Sequence, residues 1–310
     1  MRTAGLALAG MLLAAGIAAA PGWSPPAPQA AAPQGAEQQG AASEEQAGAF
    51  SDPEFSTGVA GDRSARIILP EERAARLFQR TYPHVQEALE IGEKLVFSVR
   101  YGVVRAGTAT IELAGVEDVA GDSCYHFVTT AESNDFFSTF FYVRDRVESF
   151  IAMKDLRPRR FEKYLLEGNY QAEQIVQFDH ATNMATYQDG RIFEMMPGSH
   201  DVLSAFVDVR CRDLRVGDEI QLECHADRKN YPLKTTVLRR ERIEVPAGEF
   251  DCLVVEPMLR TPGLFKHEGS LTIWLTDDTY KIPVKMMSSL PIGSISVVLT
   301  ELTRRNGGTS

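Results

Sequence analysis

The chain is short of the residues that usually announce chemistry. It has four cysteines, six histidines and two tryptophans in 310 residues. The histidines, His84, His126, His180, His200, His225 and His267, are scattered, and no C-x-x-C or H-x-x-x-H spacing occurs. Cys211, Cys224 and His225 come nearest to a metal set, and their spacing does not support one. Ser204 sits in "DVLSAF" without the Gly-x-Ser-x-Gly elbow that exposes a hydrolase nucleophile. Asp145 with Glu148, or with Asp135, would serve acid–base catalysis only if burial raised one carboxyl. Nothing local demands that, and Arg144, Asp145 and Arg146 read more simply as cross-strand pairs. Neither enzymatic activity nor a cofactor is expected.

Positive charge is also lacking. Lys and Arg number 32 against 42 Asp and Glu, a net charge of −10. The arginine groups 157/159/160 and 239/240/242 are interleaved with acids or bordered by strand pattern, so they read as solvated faces. A nucleic-acid partner is therefore excluded.

What is present begins with "AGLALAGMLLAAGIAAA" at residues 4–20 behind Arg2. This has the n- and h-regions of a secretory signal, and residues 1–20 are assigned to one. A retained anchor is the alternative, although Ala and Gly fill half the run. The first cysteine is Cys124, so no early cysteine can carry a lipid. The expected location is the periplasm of a Gram-negative envelope, not as a lipoprotein and without a transmembrane segment in the mature form. Residues 21–64 are mostly Ala, Pro, Gln, Gly, Ser and Glu, and cannot bury enough apolar surface to offset chain entropy. They are expected to be a disordered linker. Residues 65–305 are enough for a single β domain, and 306–310 form a short disordered tail.

Within that domain, "PEERAARLFQRTYPHVQEALEI" opens as helices do, and Pro83 breaks it. The period then changes. In "KLVFSVRYGVV", Leu95, Phe97, Val99, Tyr101 and Val103 alternate with mostly polar neighbours, as on a half-buried strand. A turn near Arg105-Ala106-Gly107 is expected to return it as "TATIEL". About a dozen such segments follow, separated by turn formers. Only "SHDVLSAFVDVRCRDL" interrupts them. It reads as a helix near 200–209, capped by Ser199 or Asp201, with Val202, Phe206 and Val209 in one stripe, placed as a lid or plug.

These features predict a mainly β fold: a curved antiparallel sheet closing into a barrel or half-barrel, with a short N-terminal helix and one helix near 200–209. A two-sheet sandwich is the alternative. A transmembrane barrel is excluded because "RRFEKYLLEG" and "VLRRERIEV" carry charge on both faces.

Two features bear on function. "NDFFSTFFYVRD" holds five aromatics in the seven residues from Phe136 to Tyr142. On a strand, Phe141, Val143, Asp145 and Val147 face one side, and Phe140, Tyr142, Arg144 and Arg146 the other. The aromatics Phe136, Phe137, Phe140, Phe141 and Tyr142, with Phe206, are candidate contacts for an apolar ligand. The four cysteines fit disulfides, preferably Cys211–Cys224 and Cys124–Cys252, or else four buried thiols.

The motifs "LVFSVRYGVVRAGTATIEL", "FYVRDRVESFI", "DVLSAFVDVR", "VPAGEFDCLVVEP", "WLTDDTYKIPVKM" and "GSISVVLTEL" together resemble the bacterial exported domain-of-unknown-function family three-one-zero-eight, over roughly residues 90–303. The resemblance implies a secreted or periplasmic β protein and carries no catalytic or binding residues across. Relatives tend to place aromatics where this chain has Val207 and Asp208. The curved sheet with its aromatic rim and helix gives the functional expectation: non-catalytic binding of an apolar or amphiphilic envelope ligand, such as a lipid, in the concavity of the sheet. The alternatives are docking to an envelope protein and hydrolysis of envelope glycans or lipids.

Overall fold

The computed structural model describes residues 70–259, 271–289 and 294–304. The segments assigned to a signal (1–20), a linker (21–64) and a tail (306–310) lie outside them, as does His267. The chain opens with α1 (Pro70–Thr81) and α2 (Val85–Ala88), broken at Pro83 as its missing N–H requires.

Among the described residues fourteen strands make one antiparallel sheet. The first meander is β1 (Lys94–Tyr101), β2 (Val104–Val119), β3 (Asp122–Ser133), β4 (Arg144–Ala152), β5 (Pro158–Glu167), β6 (Tyr170–Asp179), β7 (Met184–Tyr187) and β8 (Ile192–Glu194). The second is β9 (Glu219–Ala226), β10 (Lys229–Val245), β11 (Gly248–Leu259), β12 (Leu271–Thr276), β13 (Pro283–Ser289) and β14 (Ser294–Thr303). They join where β1 pairs with β14, setting Phe97 opposite Leu299 and Val99 opposite Val297. The strand order therefore runs from β8 back to β1, then from β14 back to β9.

This is one curled sheet rather than a sandwich, and no continuous ladder closes it. Its free edges are instead brought together by the segment after β8. His200 forms a parallel bridge with Cys224, through His200 N to Glu223 O at 2.7 Å and His225 N to His200 O at 2.8 Å. Asn230 donates to Glu194 O at 3.0 Å, and Lys163 reaches Asp227 at 2.8 Å. Paired backbone is thus substituted at the seam by a short strap and side chains, which blunts both edges.

The helix α4 (Val202–Arg210) runs inside this curl, and every residue from Leu203 to Arg210 is buried. The expected lid is a plug. Its faces feed three separate apolar clusters: Phe206 and Val209 pack with the main core of β1, β11 and β14; Val207 joins Tyr82, Leu113, Tyr125 and Ile151; Leu203 joins Phe161, Val176, Phe178 and Tyr187. A helix contacted on all sides needs no polar face. Asp201 caps it, accepting from Leu203 N at 2.7 Å and Ser204 N at 2.8 Å, and Ser204 Oγ accepts from Asp201 N at 2.9 Å. This reciprocal cap satisfies donors that no water can reach.

Candidate functional site

The aromatic run does not begin a strand. Asn134 opens a helical turn, α3 (Asp135–Ser138), and accepts from Phe137 N at 2.8 Å. The bond from Phe141 N to Phe137 O, at 2.8 Å, carries the helical path onward. The local repeat is therefore 3.6, not 2, and the pairs that share a face are i and i+4. Phe137 and Phe141 turn inward and pack against the main core, of which Phe206 is a buried member. Phe136 and Phe140 turn outward, 63% and 76% exposed, with rings 5.5 Å apart and edge to face. Tyr142 is 40% exposed. The strand expected from residue 141 starts at Arg144, because the cap takes the residues before it.

Both flanks of this cap are stitched down. Asn134 donates from N to Ala106 O at 2.9 Å and from Nδ2 to Arg105 O at 2.8 Å. On the other side Gly168, at the β5–β6 turn, donates to Tyr142 O at 2.7 Å. The Phe141 ring lies over that glycine so closely that a Cβ there would meet it at 3.0 Å. The cap is held as a rigid lip across one end of the curl.

The neighbouring hairpin differs from expectation. The reversal is the two-residue loop Gly102-Val103, with Tyr101 paired to Val104. The Arg105-Ala106-Gly107 stretch is instead an irregularity inside β2, where the register shifts between Val99 and Arg100. Gly107 is there for close approach: a Cβ would stand 2.1 Å from Glu132 O. The shifted register sets Arg100 opposite Arg105, both exposed, on one face of the hairpin. Val103 at the tip is 91% exposed. Val103 and this arginine pair were not singled out from sequence; Gly102 as a hairpin signal would have located them.

Other candidate groups are absorbed by the scaffold. Ser204 is fully buried in the α4 cap. Asp145 and Glu148 point to opposite faces of β4: Glu148 bonds Arg146 and His126, both at 2.6 Å, while Asp145 faces inward and accepts from Leu166 N at 3.0 Å. The partner that Asp145 does meet is Glu167. Burial and the Asp145 carboxylate push Glu167 up to about 8, with Lys163 opposing. Val207 and Asp208 are both buried in the scaffold. Val207 is core, and Asp208 accepts from the Tyr82 hydroxyl and from Arg212 at 2.5 Å. His200 lies 3.8 Å from Asp208, and burial holds it down at about 4, hence neutral. His225 donates from Nδ1 to Asn230 at 2.8 Å and accepts from Tyr187 at 3.0 Å.

The preferred disulfides are not formed: Cys124, Cys211, Cys224 and Cys252 are free, buried thiols. Cys124 sits with Val119, Phe150 and Ala152, whereas Cys252 belongs to the main core. Cys211 ends α4, and Cys224 lies in β9 beside His200. Burial raises all four thiols, Cys211 and Cys252 to about 12 and Cys124 to about 11, so they are inert as nucleophiles and ligands. Among the described residues no group of three or more His, Cys, Asp and Glu side chains could hold a metal. No helix among them is long and apolar enough to cross a membrane. A polar cleft of about 480 Å³ opens at the opposite end between His84, Leu214, Arg215 and Lys281. Its charges are already matched, Arg240 with Asp277 at 2.5 Å and Arg215 with Asp213 at 3.0 Å.

Comparison with known proteins agrees with this architecture. The family described as "Protein of unknown function (DUF3108)" matches residues 96–300. No curated protein matches the chain. Among solved structures, a β-barrel-like protein of the DUF1849 family from Brucella abortus superposes with a TM-score of 0.51 at 8% identity, covering 71% of this chain and all of that one. An exported protein of YmcC-like fold from Bacteroides fragilis gives a TM-score of 0.33 at 10% identity, over 69% of this chain and 97% of its own.

Proposed function

The chain belongs to the DUF3108 family, and from that premise we propose that it is a non-catalytic binding protein of the bacterial envelope. Its contact surface is the aromatic lip, not the interior of the sheet. The expected export signal supports the location. What supports the lip over the interior is the division of the aromatics. Phe137 and Phe141 pack against the main core, to which Phe206 also belongs, and α4 is buried inside the curl, whereas Phe136 and Phe140 are left exposed. Two large apolar rings held outward are costly to hydrate, and among the described residues the ring contact of each is with the other.

The test places a photo-cross-linking residue at position 140 or, as control, at position 77. Leu77 on α1 is comparably exposed at 64% but lies away from the lip. Cross-linking in intact envelopes is expected from position 140 well above that from 77. Equal yields at the two positions would overturn the reading.

A further inference from the structure

Two observations at the lip go beyond a generic apolar contact. The first is the shape of the apolar group. Val103, Phe136 and Phe140 come from two separate chain reversals that the Asn134 bonds to Arg105 and Ala106 tie side by side. They are tips that project, not walls that enclose.

The second is the Arg100–Arg105 pair. Like charges directly opposite on a sheet destabilise it unless an anion lies between them. Among the described residues neither arginine forms an ion pair, and Arg105 donates to the Thr108 hydroxyl at 3.4 Å. The other charges here are Arg144, which reaches Glu132 at 3.4 Å, and the exposed Asp135. The local balance is cationic on a chain of net charge −10.

We infer that this end of the sheet seats on an anionic lipid bilayer. Val103, Phe136 and Phe140 enter the interface, and Arg100 with Arg105 holds lipid phosphates. The inference rests on the lip being the contact surface and names its partner. Apolar tips bordered by basic residues are the physical requirement for interfacial binding, in which burial and headgroup attraction add. Guanidinium forks suit phosphate oxygens better than ammonium groups do. The acidic remainder of the chain does not oppose this, because beyond about 8–10 Å its field is screened at physiological salt.

The experiment uses the full chain with two sets of vesicles, one rich in phosphatidylglycerol and one of phosphatidylcholine alone. Sedimentation is expected with the first set and to weaken as salt rises. Arg100→Gln with Arg105→Gln should reduce partitioning by roughly fivefold per arginine. Phe136→Ala with Phe140→Ala should abolish it with the circular dichroism spectrum unchanged. In a Phe140→Trp variant, indole emission should shift to the blue on the anionic vesicles. Absence of binding to anionic vesicles, or binding that survives both double substitutions, overturns the inference. If vesicles are ignored while position 140 cross-links to protein in envelopes, this inference falls and the lip remains the contact surface. If position 140 cross-links no better than 77, both fall.

Discussion

Arg210 and Glu93, 117 residues apart, meet in a doubly bonded fork, Nη1 to Oε1 at 2.9 Å and Nη2 to Oε2 at 3.2 Å. Both side chains are fully buried. Arg210 also donates to the carbonyls of Ala88, Tyr280 and Lys281, each at 3.1 Å. Arg304 adds a bond to Glu93 at 2.7 Å. One guanidinium thus ties the inner helix to the N-terminal segment and the β12–β13 turn, while Glu93 ties in the C-terminal strand. The arginine's donors are matched by acceptors, which is what makes a buried charge tolerable.

Removing Arg210 leaves Glu93 with the Arg304 bond alone and takes a donor from the carbonyls of Ala88, Tyr280 and Lys281. Arg210→Met is expected to cost about 3–5 kcal/mol, read as a drop in the urea midpoint at constant m. Arg210→Lys keeps the charge but not the fork, and should recover only a minor part of that loss.

Gly107→Ala tests the junction of hairpin and cap. The added carbon would meet the Glu132 carbonyl at 2.1 Å, and backbone cannot yield as a side-chain tip does. The end of β3 must then move, taking Asn134 and α3 with it. A loss of roughly 1–3 kcal/mol or more is expected, with increased amide exchange at Phe137 and Phe141. A variant with wild-type stability would contradict this geometry.

Glu167 gives the chain a pH dependence of definite sign. Its folded pKa is raised from the ordinary 4.5 to about 8, by burial first and by Asp145 second. The folded state holds this proton more tightly than the unfolded state does. The associated stability is therefore complete below about pH 4.5 and is lost as pH rises through 8. Asp201, raised to about 6 by burial, acts with the same sign at lower pH. Between pH 6.5 and 8.5 the urea midpoint should fall, and Glu167→Gln should flatten that fall. A wild-type midpoint independent of pH over this range would contradict the assignment.

Much of this architecture was legible because it follows from local pattern. Alternation of Leu95, Phe97 and Val99 fixed a buried face, Pro83 fixed a helix break, and Asp201 was one of the two caps expected for the inner helix. What could not be read depended on tertiary neighbours. Alternation says nothing of the register shift between Val99 and Arg100. Seven residues of mostly aromatic sequence carry no clear period, so a strand was expected from Phe140 onward, where the helical turn begun at Asn134 still runs and the strand waits until Arg144. Arg210 stands in the last turn of its helix, where the dipole favours a cation, and nothing local marks it as buried. Its burial depends on Glu93, whose distance in sequence hides the pairing. The cysteines were read from compartment, but each folds into a different neighbourhood.

The division of the aromatics separates scaffold from contact surface. Phe137→Ala with Phe141→Ala removes rings that pack on the core and over Gly168, and should cost several kcal/mol, in the range for large-to-small core substitutions. Phe136→Ala with Phe140→Ala deletes rings that touch chiefly each other and water, and should leave the urea midpoint within about 0.5 kcal/mol of wild type. The two pairs are neighbours in sequence, so composition, expression and net charge are held equal between the variants. If the outer pair proved as costly as the inner, those rings would be structural, and their exposure would no longer argue for a partner. If the inner pair were free of cost, the lip would not be rigid, and the register that presents Phe136 and Phe140 to the envelope would lose its cause.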